Sequence, residues 1–271
     1  MANNIVTGCT PSHIPGVIAL FNSLKENVTW NFDFQVYCTG EPYLFKELKH
    51  PEIELIYDVS LPRNPGGRGW GDGRSDHGMP SMYNRILIPD ISHEKYRRSM
   101  WMDADTIALQ DFTFLWDIDM DGLPVAMSVN GNPWNREKQL LRRDYDQELG
   151  LGETPACQSG VMLFNNKAWI EQELTNKFIQ ATLDESVPDG AFVVQSYLGW
   201  ILRGNFLQLP FEMNTDVSWL DMAKDRKMLQ EPYVLHYIGG GKKLPWTHDY
   251  IYAGNNYSKL WQYFYNEGKL K

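Results

Sequence analysis

Asp103 and Asp105 are the residues with the clearest capacity for chemistry. They stand two positions apart, with Ala104 between them, directly after the apolar run Met100-Trp101-Met102. Residues 97–102 read as a short strand, so both carboxylates are delivered at its C-terminal end. That edge is where open α/β sheets bind ligands. Carboxylates are hard oxygen donors suited to Mn²⁺ or Mg²⁺. A divalent ion held there neutralises a diphosphate and stabilises it as a leaving group.

A second run, Tyr233-Val234-Leu235-His236-Tyr237-Ile238, ends in Gly239-Gly240-Gly241 and then Lys242-Lys243. The apolar part reads as a strand with His236 at its end. A ring nitrogen of His236 is positioned to complete the metal site. Glycine permits close backbone approach to phosphate oxygens, and lysine supplies a cation.

These residues need elements to position them. Residues 4–9 form a β-branched run that predicts a first strand. Ile14, Val17, Ile18, Phe21 and Leu24 recur at helical spacing over residues 13–27. Strands are predicted at 32–39 and 54–57, with a helix over 43–49 between them. The alternation implies an α/β fold: a Rossmann-like, mostly parallel sheet flanked by helices. Residues 62–80 hold Pro62, Pro65 and several glycines, and a loop of this length is usually functional. Its 66–78 part, which carries Arg68, Trp70 and His77, is expected either to close over a bound donor or to line the acceptor cleft. Helical character resumes at 82–88 and is expected to end at Pro89. Further strands are expected at 124–129 and 160–164, then helices over 169–183, 192–203 and 258–267. The terminal run, with Leu260, Trp261, Tyr263 and Phe264, is expected to pack on the core. The whole reads as one domain, 1–271, with a ligand-binding half to about residue 110 and a second half from 111.

Composition narrows the partners. The 271 residues carry a formal net charge of -9. An acidic chain repels phosphate backbones and anionic lipid, so nucleic acid and stable membrane attachment are disfavoured. An anionic nucleotide then needs local neutralisation by a metal or a few placed cations. Three cysteines, Cys9, Cys38 and Cys157, have no CxxC spacing, which argues against a disulfide framework or a zinc site. The N-terminus lacks a signal-peptide pattern, and no stretch approaches the roughly 18 apolar residues of a membrane span. The expected compartment is the cytoplasm. Ten Trp and fourteen Tyr give many flat rings able to stack on sugar faces or fill a core.

The motifs, taken in order, resemble glycosyltransferase family 8. They are Tyr83-Asn84-Arg85 with 86–89, Asp103-Ala104-Asp105, Ser159-Gly160-Val161-Met162-Leu163-Phe164-Asn165 with Trp169, and His236 through Trp246. The resemblance implies a GT-A fold, Mn²⁺, a UDP-sugar donor, a carbohydrate or glycoconjugate acceptor and retention of anomeric configuration. It assigns Asp103, Asp105 and His236 to the metal. It assigns Gly239 and Lys242 to the diphosphate, and Arg85 to the donor sugar and phosphate. Gln195 matches a glutamine beside the donor sugar, and Asp189 is the alternative carboxylate there. Gln158 stands where the family has an asparagine. The nucleobase loop reads Thr7-Gly8-Cys9-Thr10-Pro11-Ser12-His13, with Thr7, Cys9 and His13 as its candidate contacts.

Competing chemistries fare less well. A two-metal phosphodiesterase needs more clustered carboxylates than this one pair. No Gly-x-Ser-x-Gly elbow supports a serine hydrolase. The other reading is a sugar-binding protein of the same fold without transfer activity, which metal-dependent hydrolysis of a nucleotide sugar would distinguish.

Overall fold

The structure, a computed structural model, describes residues 2–59, 83–129, 157–184, 193–217, 231–238, 244–247 and 256–271. The loop at 62–80, Asp189, Gly239 and Lys242 lie outside them. Ten strands are described: β1 (Ala2–Cys9), β2 (Asp33–Cys38), β3 (Ile53–Ile56), β4 (Tyr96–Met102), β5 (Thr106–Ala108), β6 (Val125–Val129), β7 (Cys157–Asn165), β8 (Leu207–Leu209), β9 (Thr215–Asp216) and β10 (Val234–His236). The described α-helices are α1 (Ile14–Asn27), α2 (Ile88–Ser92), α3 (Asn166–Glu171), α4 (Leu174–Leu183), α5 (Val193–Leu202) and α6 (Asn256–Tyr265).

Seven strands form one sheet in the order β3-β2-β1-β4-β7-β6-β8. Strands β3, β2, β1 and β4 run parallel, as do β6 and β8, while β7 is antiparallel to both its neighbours. Side-chain alternation buries both faces. Met100 and Met102 of β4 pack with Val17, Ile18 and Phe21 of α1. Trp101, between them in sequence, joins Trp169 of α3, Phe178 of α4 and Leu198 of α5 in the core on the other side. Strands covered on both faces read as continuous apolar runs. The fold is mixed α/β with a central, mostly parallel sheet flanked by helices, as the alternation of elements predicts.

A second sheet, β5-β10-β9, was not foreseen as a unit. Its short strands carry too few residues to show a period. Helix α1 lies between it and the large sheet: Ser23 Oγ accepts from Ala108 N at 2.9 Å, and Asn27 Nδ2 donates to Ala108 O at 3.0 Å. Those two side chains satisfy the outer backbone groups of β5, which an edge strand would otherwise leave unpaired.

Three local expectations are corrected. Pro89 does not end a helix; it sits in the first turn of α2, where its missing N–H is not needed. The helix expected over 169–183 is two helices, α3 and α4, broken where Glu173 takes a left-handed φ of 53°. The segment 43–49 is a 3-10 helix, Pro42–Leu48, rather than an α-helix. The terminal helix α6 packs as expected, with Trp261 and Phe264 buried. Asn22 of α1 fixes it: its amide donates to Phe264 O at 2.7 Å and Lys269 O at 2.8 Å, and accepts from Lys271 N at 2.8 Å. No described helix is long and apolar enough to cross a membrane.

Candidate metal centre

Between β1 and β4 the strand order of the large sheet reverses, and a crevice opens at the C-terminal ends of parallel strands at such a point. Residues 10–13 leave β1 at this edge, and Asp103 leaves β4 there. Asp103 N donates to Gly160 O at 2.8 Å, which extends the β4–β7 ladder by one residue. Two residues later, Asp105 O accepts from Tyr237 N at 2.8 Å, which extends the β5–β10 ladder of the small sheet. The chain thus crosses from one sheet to the other inside the Asp103-Ala104-Asp105 turn. Thr106 closes the turn with its backbone N and its hydroxyl, both on Asp103 O, at 3.0 and 2.7 Å.

His236 ends β10 opposite Thr106, which brings its ring onto the turn. Its Nε2 lies 3.1 Å from Asp105 Oδ1 and 3.6 Å from Asp103 Oδ2. One donor atom from each of Asp103, Asp105 and His236 lies within 4.8 Å of the others. Two hard oxygens and one imidazole nitrogen suit Mn²⁺ or Mg²⁺, with further positions left to ligand oxygens. His236 is 5% exposed, and both carboxylates are about a fifth exposed, so the ligands are held from behind and open on one side.

The electrostatics divide the two carboxylates. Burial raises Asp103 above the ordinary carboxylate value, against the opposing pull of Arg85 and His236. Burial also acts upward on Asp105, but the charge and hydrogen bond of His236 outweigh it and leave Asp105 below the usual value. Burial acts downward on His236, and the same Asp105 contact with the Asp103 charge carries it above 6.5. His13 is lowered, because its burial exceeds the pull of Asp105 and Asp103.

Arg85 forms the opposite wall. Its Nη2 pairs with Asp103 Oδ1 at 2.8 Å, and its Nη1 donates to Ser159 O at 2.6 Å and Ser159 Oγ at 3.1 Å. The guanidinium stacks on Trp101 with its carbon 4.7 Å from the ring centroid, and Trp101 Nε1 donates to Asp103 Oδ1 at 2.7 Å. A planar, five-donor cation suits this fork, and a lysine would not reproduce it.

The remaining candidates divide. Ala104 is pinned from behind by α1: a Cβ placed on Gly16 would lie 2.3 Å from Ala104 O and 2.8 Å from the Trp246 ring. His13 meets the edge of Trp246 at 5.7 Å between centroids, and its Nδ1 lies 2.7 Å from Thr10 Oγ1. Thr7 and Cys9 are fully buried in β1, so their side chains face the core. Gln158 is buried in β7 opposite Ser128. Gln195 lies in the first turn of α5, its carbonyl 3.6 Å from Cys157 Sγ at the start of β7. Sequence reading passed over Asn214, whose Oδ1 lies 2.9 Å from His236 Nδ1. Twenty-two residues separate the two, and no spacing rule links them.

Fold and site together define an α/β protein of the GT-A type with a candidate cation centre at its switch point. The sequence profile of glycosyl transferase family 8 matches residues 4–249, and the chain belongs to that family. General stress protein A of Bacillus subtilis is 27% identical over 187 residues, which cover 64% of this chain and 61% of that protein. Glycosyltransferase GlyD of Streptococcus pneumoniae is 21% identical over 267 residues, 91% of this chain but 29% of that protein. The chain thus spans less than two thirds of the length of these relatives. Among solved structures, galactosyltransferase LgtC in complex with donor and acceptor sugar analogs superposes with a TM-score of 0.77 at 16% identity, covering 97% of this chain and 95% of that one. GlyE of S. pneumoniae superposes with a TM-score of 0.68 at 18% identity over 98% of this chain and 60% of that one.

Proposed function

We propose that the chain is a metal-dependent, retaining hexosyltransferase that uses a UDP-sugar donor and a carbohydrate hydroxyl as acceptor. The observation that carries this reading is the Asp103–Asp105–His236 cluster at the switch point, closed on one side by Arg85. Family membership and the donor and acceptor sugar analogs bound to LgtC support it.

Asp103, Asp105 and His236 would hold a divalent cation, which would supply positive charge for a departing diphosphate. Arg85, oriented by Ser159 and Trp101, holds Asp103 in place and offers charge to the donor sugar and phosphate. By their place in the family motif, Lys242 and Gly239 are assigned to the diphosphate. The acceptor hydroxyl attacks C1 on the face the diphosphate leaves, and the diphosphate oxygen takes its proton. Gln195 stabilises the positive charge developing at C1 through its amide oxygen, with Asp189 as the alternative group in that role. Most of the rate then comes from positioning and preorganised charge.

Calorimetric titration with nucleoside diphosphates, in Mn²⁺ and then in EDTA, tests the reading. The expected result is Mn²⁺-dependent UDP binding that is lost in Asp105→Ala. A different nucleotide preference would overturn the uridine assignment alone. Absence of binding by any nucleotide would overturn the donor site and leave a sugar-binding protein.

A further inference from the structure

We infer that Asn214 is a positioning residue that locks His236 in the one neutral tautomer able to ligate a cation through Nε2. The inference rests on the proposed metal centre and adds a component to it.

An imidazole offers a lone pair at Nε2 only while its proton sits on Nδ1. His236 presents Nε2 to the two aspartates and Nδ1 to Asn214 Oδ1, at 2.9 Å. A carbonyl oxygen only accepts, so it keeps the proton on Nδ1. Ligating histidines are generally held by such a partner on the far nitrogen. Here the partner is a neutral amide, so it fixes the ring without adding a third negative charge behind two carboxylates.

A second observation concerns the other end of the same amide. Asn214 is fully buried, and its Nδ2 has no hydrogen-bond partner among the described residues. Leaving a buried donor unpaired is costly. Turning the amide over would bring Nδ2 to His236 and force the proton to Nε2, which removes the ligating lone pair. The amide oxygen faces the ring, the orientation a positioning role requires.

The local fold makes this contact rigid. Asn214 ends the 3-10 turn Phe211–Asn214 and leads directly into β9, where Asp216 stands opposite His236. On the other side, β7 presses flat against the pair. A Cβ on Gly160 would fall 2.5 Å from His236 Nδ1 and 3.1 Å from Asn214 Nδ2. The dipeptide Ser159-Gly160 therefore serves both walls of the site: Ser159 orients Arg85, and Gly160 admits the His236–Asn214 pair.

The test compares Mn²⁺ binding, followed by the electron paramagnetic resonance of the free ion, in wild type, Asn214→Leu, Asn214→Asp and Asp105→Ala. Leucine is close to asparagine in size and cannot accept; aspartate accepts. We expect the leucine variant to bind Mn²⁺ about 10–100-fold more weakly. The aspartate variant should regain at least wild-type affinity. A folded leucine variant with unchanged affinity would overturn the inference. A second measurement is independent of whether that variant folds: ¹⁵N shifts of the histidine rings in Mg²⁺-loaded wild type. His236 is expected with its proton on Nδ1, and a proton on Nε2 would overturn the assignment. No Mn²⁺ binding by wild type would instead sink the metal centre itself, which is a different failure.

Discussion

Replacing Gly160 with alanine adds one methyl group at the most crowded point of the site. Its carbon would lie 2.2 Å from His236 Cε1 and 2.5 Å from Nδ1. Non-bonded carbons pack at about 3.5–4.0 Å, so the ring must retreat by more than about 1 Å. It has little room to do so, because Asn214 holds its far nitrogen and β10 is tied to strands on both sides. The strain of an added methylene in a packed interior is about 1–3 kcal/mol. For a chain near this size, that lowers the melting temperature by roughly 2–4 °C for each kcal/mol. The same retreat pulls Nε2 off the aspartates, and ligand misplacement of this kind costs about 10–100-fold in metal affinity. Differential scanning fluorimetry and a Mn²⁺ titration on Gly160→Ala measure both effects. Wild-type melting together with wild-type Mn²⁺ affinity would refute the packing argument, because the contact leaves no third way to fit the methyl.

Other outcomes follow from the same geometry. His236 is raised above 6.5 in the folded chain, so its contribution to the stability of the metal-free protein is full below that value and is lost as pH rises through its folded pKa. Metal affinity should climb over that same interval as the proton leaves Nε2; melting curves against pH in EDTA and in Mn²⁺ should therefore diverge upward from about pH 6.5, and parallel curves would argue against His236 as a ligand. Arg85→Leu strands the part-buried Asp103 carboxylate and should destabilise by about 3–5 kcal/mol in urea unfolding, whereas a loss below about 1 kcal/mol would mean that the pair is idle. Trp246 joins His13 to Trp261, and Trp261 stacks on Tyr265 at 5.0 Å. Trp246→Ala should therefore speed hydrogen exchange in α6, and unchanged exchange over residues 256–265 would show that the helix is held by the Asn22 clamp alone.

The parts legible in the sequence were those whose signal is local. β4 announces itself through an apolar run, and its two aspartates stand at a strand end that a parallel sheet must expose. α1 shows its period over four turns. Local reading fails where the deciding partner is remote. Nothing near Asn214 marks it as the acceptor for an imidazole, since only the pairing of β9 with β10 brings them together. Nothing in the three residues of β5 shows that they found a separate sheet. Pro89 was misread because the same residue suits the first turn of a helix and forbids its interior, and sequence alone does not say which turn it occupies.

The crossing of the chain between two sheets inside the Asp103–Asp105 turn has a consequence for the order of assembly. Asp105 and His236 are 131 residues apart, and each sits in a sheet that the other helps to define. During synthesis the first half of the chain carries two carboxylates with no imidazole yet behind them. His236 joins the two carboxylates only after β10 has been made and has paired with β5 and β9. In the proposed metal centre, cation capture would therefore be a late checkpoint of assembly: a prematurely ended or misregistered chain would keep its acidic turn without the third ligand.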